Sequence, residues 1–151
     1  MPKVLVIYHS QQYGNTKACA DLVAQGVREA GEIDVELINT NEAQRVSMEA
    51  ILAADGVAIG TPDYFSYPAG TIKQLFDDLL EAYRKDLPVY KRPCALFVTH
   101  GGGGRALEPL KRLARDFRLV GEPFVCLRSP NPDCAHEAVA LGRALGEAVL
   151  A

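Results

Sequence analysis

The stretch Ser10-Gln11-Gln12-Tyr13-Gly14-Asn15-Thr16 concentrates hydroxyl and amide side chains, with Lys17 directly after it. It lies between the apolar run Lys3-Val4-Leu5-Val6-Ile7-Tyr8 and a segment in which Ala20, Val23, Ala24 and Val27 recur at helical spacing. The first run has the bulky, β-branched character of a strand buried on both faces. A strand that stops in such a loop and restarts as a helix gathers unsatisfied N–H groups at a helix N-terminus. Partial positive charge there favours an anion. The hydroxyls of Ser10 and Thr16 and the amide of Asn15 can add neutral hydrogen bonds to a phosphate. No Lys or Arg lies inside the loop, which suits the terminal monophosphate of a larger cofactor. Ser, Asn and Thr are also preferred helix caps, so the same residues could simply turn the chain.

Two further segments bear on that choice. Gly60-Thr61-Pro62-Asp63-Tyr64-Phe65-Ser66-Tyr67-Pro68-Ala69-Gly70 carries three aromatics in a polar, proline-bearing loop. A flat ring system stacked on Tyr64, Phe65 or Tyr67 would cover them, and such stacking is worth roughly 0.5–1.5 kcal/mol beyond area burial. The alternative is that Phe65 or Tyr67 tucks under the loop as core. Thr99-His100-Gly101-Gly102-Gly103-Gly104-Arg105 holds four consecutive glycines. Ordering them is costly, and close approach of backbone to a ligand would offset it; a merely flexible loop is the other reading. A dinucleotide fingerprint is disfavoured, because no acidic residue ends another strand about 20 positions on.

The elements that must position these loops alternate along the chain. Strand-like runs occur at 3–8, 35–39, 56–60, 94–99 and 123–127, and helix-like stretches at 16–30, 47–53, 69–83, 105–119 and 135–151. Strict alternation implies crossover connections and a parallel sheet covered on both faces. Ligands in such sheets bind beyond the carboxyl ends of the strands, where the strand order reverses, so the loops after strands one, three and four should converge. At 151 residues, 48% hydrophobic and 23% charged, the chain reads as one ordinary domain over 1–151. A net charge of −3 argues against nucleic acid. No apolar stretch reaches membrane-spanning length and no signal peptide precedes the first strand, so a cytoplasmic protein is expected. Cys19, Cys94, Cys126 and Cys134 form no CxxC pair and no metal-ligand spacing, and reduced thiols are expected.

The segments Tyr8–Thr16, Gly60–Phe65 and Gly70-Thr71-Ile72-Lys73-Gln74-Leu75-Phe76-Asp77 resemble the flavodoxin-like superfamily, nearest the flavodoxins and the NAD(P)H-dependent flavin and quinone reductases. The resemblance implies a three-layer α/β/α sandwich with a five-stranded parallel sheet of order 2-1-3-4-5. It also implies FMN as cofactor. By position, Ser10, Gly14, Asn15 and Thr16 would take the phosphate, with Gln12 and Tyr13 in the same loop. Thr61, Pro62, Asp63, Tyr64 and Phe65 would line one side of the ring, and Thr99, His100, Gly101, Gly102 and Gly103 its pyrimidine edge. His100 and Arg105 are the candidate catalytic groups, since a cation within about 4–6 Å stabilises negative charge on the reduced ring.

Two departures accompany the resemblance. The phosphate loop has one more residue between Ser10 and Gly14 than typical flavodoxins, and the glycine-rich loop lacks their acidic and aromatic residues. It is closer to quinone reductases resembling the tryptophan-repressor-binding protein, whose insertion after strand four this chain lacks. Two functions follow. One is a reductase passing electrons from NAD(P)H to a quinone, flavin or similar small acceptor. The other is an electron carrier between redox protein partners. Tyr83, Tyr90 and Leu87-Pro88-Val89 suggest a homodimer face.

Overall fold

The computed structural model describes residues 1–11, 13–43 and 45–151. Strand β1 (Lys3–Tyr8) leads into helix α1 (Asn15–Ala30), followed by β2 (Asp34–Asn39), the short helices α2 (Thr40–Ala43) and α3 (Met48–Ala53), and β3 (Gly56–Tyr64). β3 turns back as the two-residue β4 (Tyr67–Pro68), and helix α4 (Gly70–Arg84) and a 3-10 turn at Pro88–Lys91 lead to β5 (Pro93–His100). Helix α5 (Leu107–Leu113), strands β6 (Arg118–Leu119) and β7 (Phe124–Leu127) and helix α6 (Pro132–Leu150) follow.

β2, β1, β3 and β5 pair in that order, all parallel, and both β6 and β7 pair with the remaining edge of β5. The expected order therefore holds, with the fifth strand in two pieces. The break falls at Val120-Gly121-Glu122-Pro123, where Gly121 takes φ +71° and Pro123 has no N–H to give the ladder. β4 is antiparallel to β3 and completes a hairpin beyond the sheet.

Alternation along the central strands divides the core. Leu5, Ile7, Ile59, Leu96 and Val98 pack with Ile72, Leu75 and Leu79 of α4 and Leu110 of α5. Val4, Val6, Ala58 and Phe97 pack with Val23 and Val27 of α1 and Leu141 and Leu145 of α6. α1 and α6 meet at Gly26 and Gly142, where an added Cβ would lie 2.1 Å from the Val139 oxygen and 2.0 Å from the Val23 oxygen. No helix among the described residues is long and apolar enough to cross a membrane.

Several expectations need correction. The helix read over 105–119 closes at Leu113, because Phe117 tucks into the core and Arg118–Leu119 pairs with β5. Tertiary burial there overrides local propensity. α6 starts at Pro132, capped by Asn131, whose Oδ1 accepts from the Cys134 N–H at 2.8 Å. The cysteines are not all reduced: Cys126 and Cys134 are disulfide-bonded, with Cα atoms 5.9 Å apart. Cys19 and Cys94 are free and buried, and burial pushes the Cys19 thiol up to about 12. The expected dimer face is partly consumed by the core, since Val89 is buried and Tyr90 packs on Phe117 at 4.9 Å. Tyr83 and Leu80 remain exposed.

Candidate functional site

The carboxyl ends of β1, β3, β5 and β7 open on one cavity of about 750 Å³, at the switch in strand order where such sheets bind ligands. Its walls are Ser10, Gln11, Tyr13, Gly14, Asn15 and Thr16 on one side and Pro62, Asp63 and Tyr64 on another, with Thr99, His100, Gly101, Arg128 and Ser129 closing it.

On the first side, hydrogen bonds to the scaffold leave donors free. Ser10 Oγ accepts from the Lys17 N–H at 3.2 Å, and its own O–H has no partner among the described residues. Asn15 Oδ1 accepts from the Ser129 hydroxyl at 3.2 Å, which fixes the amide by its oxygen and keeps the N–H₂ available. Thr16 and Thr99 hydroxyls meet at 2.7 Å; one proton makes that bond and the other is free. Helix α1 begins after Gly14, φ +66°, which has no side chain to cap it; Ser10 takes one first-turn N–H, that of Lys17, and leaves those of Asn15 and Thr16 to a ligand. Asn39 grips the loop from β2, accepting from the Ser10 N–H at 3.0 Å and donating to the Ser10 carbonyl at 3.1 Å.

The opposite side is a two-residue hairpin. Phe65 and Ser66 both have positive φ, 57° and 65°, the signature of a type I′ turn that favours Asn-Gly. Asp63 holds it: one carboxylate oxygen accepts from the Ser66 N–H at 2.8 Å, the other from the Arg105 N–H at 2.7 Å. One side chain thus ties the hairpin to the glycine-rich loop. Tyr64 stands edge-on to His9, ring centroids 5.8 Å apart, and partial burial raises its phenol pKa.

A family model for NADPH-dependent FMN reductases matches residues 2–125. The chain belongs to this family. It is 38% identical over 104 residues to a flavodoxin of Aquifex aeolicus, covering 69% of this chain and 54% of that one. It is 32% identical over 134 residues to a diflavin flavoprotein of Synechocystis, covering 87% of this chain and 21% of that one. The chain therefore spans about half the length of the first relative and a fifth of the second. An archaeal flavodoxin superposes with TM-score 0.84 at 22% identity, covering 99% of both chains. A WrbA-like flavodoxin from Agrobacterium tumefaciens gives 0.80 at 19%, covering 99% of this chain and 98% of that one. Both share the fold. Membership of this family brings FMN as the cofactor.

The cavity's donor set fits FMN. Hydroxyl and amide donors, the first N–H groups of α1 and the positive charge of Arg128 suit a phosphate. Tyr64 and the Gly101 backbone offer flat and open walls for a ring.

Of the residues expected here from sequence, Ser10, Tyr13, Gly14, Asn15, Thr16, Pro62, Asp63, Tyr64, Thr99, His100 and Gly101 line the cavity. Gln12 lies outside the described residues. Thr61 does not line it: it is fully buried, its Oγ1 accepting from the Ala69 N–H at 2.9 Å and donating to the Pro62 carbonyl at 2.8 Å. Phe65 is fully exposed at the hairpin tip, because a type I′ turn projects its central side chains outward. Gly102, Gly103 and Arg105 are exposed and off the cavity wall; Arg105 contributes its backbone N–H to Asp63. His100 is on the wall, packed where a Cβ on Gly104 would lie 3.1 Å from its ring, and its buried Nδ1 has no partner among the described residues.

Arg128 and Ser129 were not anticipated. They follow β7, and the rule that ligands sit beyond carboxyl strand ends applies to that strand as to the others. Arg128 has φ +58° and its N–H donates to the His100 carbonyl at 2.8 Å, which fixes the bend that brings this exposed residue to the cavity's edge. It is the one permanently charged cation among the described lining residues.

Proposed function

We propose that this protein is an FMN-dependent reductase, taking reducing equivalents from NAD(P)H and delivering them to a small planar acceptor such as a quinone or a second flavin. Bound FMN supplies the redox chemistry. Ser10, Asn15 and Thr16, with the N-terminus of α1, hold the phosphate by neutral donors. Asp63 and Tyr64 with Gly101 and His100 flank the ring, and Arg128 adds positive charge to the site. Arg105 acts through its backbone.

The observation that carries the reductase reading over the carrier is the state of the acids at the mouth. An electron carrier that docks on a basic partner gains on-rate and specificity from free carboxylates around its cofactor. Asp63 is the single carboxylate among the described lining residues, and both its oxygens are bonded to backbone N–H groups. Exposed aromatics stand there instead, Tyr13 on one wall and Phe65 at the tip of the facing hairpin. Flat apolar acceptors match such a rim.

Anaerobic mixing of FMN-loaded protein with NADH or NADPH tests the reading. Bleaching of the flavin band, followed by recolouring on adding a quinone, is expected. A protein bleached by dithionite but by neither nicotinamide is a carrier. A homodimer using exposed Leu80 and Tyr83 is the accompanying proposal, and light scattering at a monomer mass overturns it.

A further inference from the structure

His9, directly after β1, is 5% exposed, and its ring is held at both nitrogens. Nδ1 lies 2.6 Å from Thr71 Oγ1 on α4, which lies 2.6 Å from Thr40 Oγ1 on α2, which donates to the Tyr8 carbonyl at 3.1 Å. A hydroxyl has one proton, so this chain of bonds has one solution. Thr40 spends its proton on Tyr8 and accepts from Thr71. Thr71 has then spent its own proton and must accept from His9 Nδ1–H. At the other nitrogen the Gln11 amide presents its Nε2 at 2.9 Å, which has only N–H to offer, so His9 Nε2 is the acceptor there. His9 is therefore neutral and of fixed tautomer, and burial alone lowers its pKa, with no charged side chain contributing.

Gln11 lines the cavity beside Ser10, Asn15 and Thr16. Ser10 and Asn15 meet the scaffold through an oxygen and keep their donors free. Gln11 does the reverse: a donor goes to His9. A second proton on His9 inverts this arrangement. Nε2–H becomes a donor, the Gln11 amide must turn to accept with Oε1, and its N–H₂ is released to the cavity.

We propose, resting on the reading that this loop holds the FMN phosphate, that His9 and Gln11 form a proton-linked phosphate-binding pair. Binding of the phosphate takes up a proton at His9 Nε2 and turns the Gln11 amide to donate to the anion. Free protein holds His9 neutral; the bound dianion raises its proton affinity. The titratable or charged side chains on the surrounding elements are Lys3 and Tyr8 on β1, Glu42 on α2, Asp63 and Tyr64 on the hairpin, and Lys73, Asp77, Asp78, Glu81, Tyr83 and Arg84 on α4. Tyr64 makes the ring contact among them, and burial keeps both Tyr8 and Tyr64 protonated well above neutrality. By linkage, affinity for FMN rises as pH falls through the bound-state pKa and levels off below the free-state pKa.

The phosphate of FMN itself titrates near pH 6, so the measurement is a ratio. Dissociation constants of FMN and of riboflavin, which lacks the phosphate, are read by fluorescence quenching from about pH 8 to about pH 5 for the wild type and His9→Asn. The Asn amide can still donate to Thr71 but does not titrate. For FMN, the variant-to-wild-type ratio of dissociation constants should grow roughly tenfold toward acid, one pKa unit of coupling. For riboflavin it should stay flat. A flat or falling FMN ratio overturns the proposal while leaving the phosphate site standing. FMN binding no tighter than riboflavin at any pH overturns the phosphate reading and the proposal with it. Calorimetry of FMN binding at about pH 6, in two buffers of different ionisation heat, counts the protons: the wild type should take up more than His9→Asn, in which the phosphate's own release remains, and equal counts overturn the proposal.

Discussion

The phosphate loop and the hairpin facing it across the cavity are held in opposite ways. In the loop, Ser10, Asn15 and Thr16 are half-buried or buried, and each is bonded to a different part of the fold: α1, the segment after β7, and β5. On the hairpin, Tyr64, Phe65, Ser66 and Tyr67 are exposed, two of them at positive φ, and Asp63 alone ties them to the glycine-rich loop. The contrast teaches where this site invests rigidity. A phosphate needs donors fixed in direction, because each mis-aimed hydrogen bond to a charge is largely lost. A ring accepts any flat neighbour, so its wall can flex and admit a second planar molecule.

The sharpest way to break this comparison is to remove donors from the rigid side. Asn15→Ala with Thr16→Ala should weaken FMN binding by about 3–6 kcal/mol if the two bonds to phosphate add, and leave riboflavin binding nearly unchanged. Equal losses for both ligands would mean these residues do not meet the phosphate.

Opening the Cys126–Cys134 disulfide probes the segment between them, which carries Arg128 and Ser129. Cys126→Ser with Cys134→Ser should cost about 2–3 kcal/mol of stability by releasing a short loop closure. Denaturant melts in the presence and absence of reductant check this: the variant should show no reductant dependence.

Asp63→Ala acts on the exposed side. Losing two bonds to backbone N–H groups at an exposed site should weaken FMN and riboflavin alike, by about 1–2 kcal/mol. A phosphate-selective loss would mean that the two sides are not separable. Replacing Phe65-Ser66 by Asn-Gly sharpens the contrast from the other direction. It relieves the positive-φ cost, so the protein should gain about 1–2 kcal/mol in thermal or chemical melts, with FMN affinity unchanged because Phe65 lies off the cavity wall. A fall in affinity would place Phe65 against the ring.

The smallest effect is expected from pH on the FMN-free protein. The folded-state pKa of His9 is lowered relative to its unfolded value near 6.5, so its stabilising contribution is present above that value and declines as pH falls below it. His9→Asn should flatten this shallow acid loss in melts between about pH 7 and about pH 5.

The order of elements was legible because apolar runs and helical stripes report burial directly. A run such as Val4–Ile7 can only be a strand covered on both faces, and the convergence of loops at carboxyl strand ends follows from topology. The phosphate loop was legible for the same reason, since its donors are adjacent in sequence. What sequence left undecided were relations across distance. Thr61 and Asp63 stand two positions apart at the end of β3, yet one is fully buried as a brace and the other ties the hairpin to the glycine-rich loop. Phe65 read as a ring contact until the sign of two φ angles turned it to solvent. Arg128 and Ser129 joined the site, and Cys126 met Cys134, only because the broken fifth strand delivers them to the edge of β5. Local periodicity determines which elements form. Side-chain direction, pairing and proton placement depend on partners dozens of residues away, and tertiary packing alone brings those together.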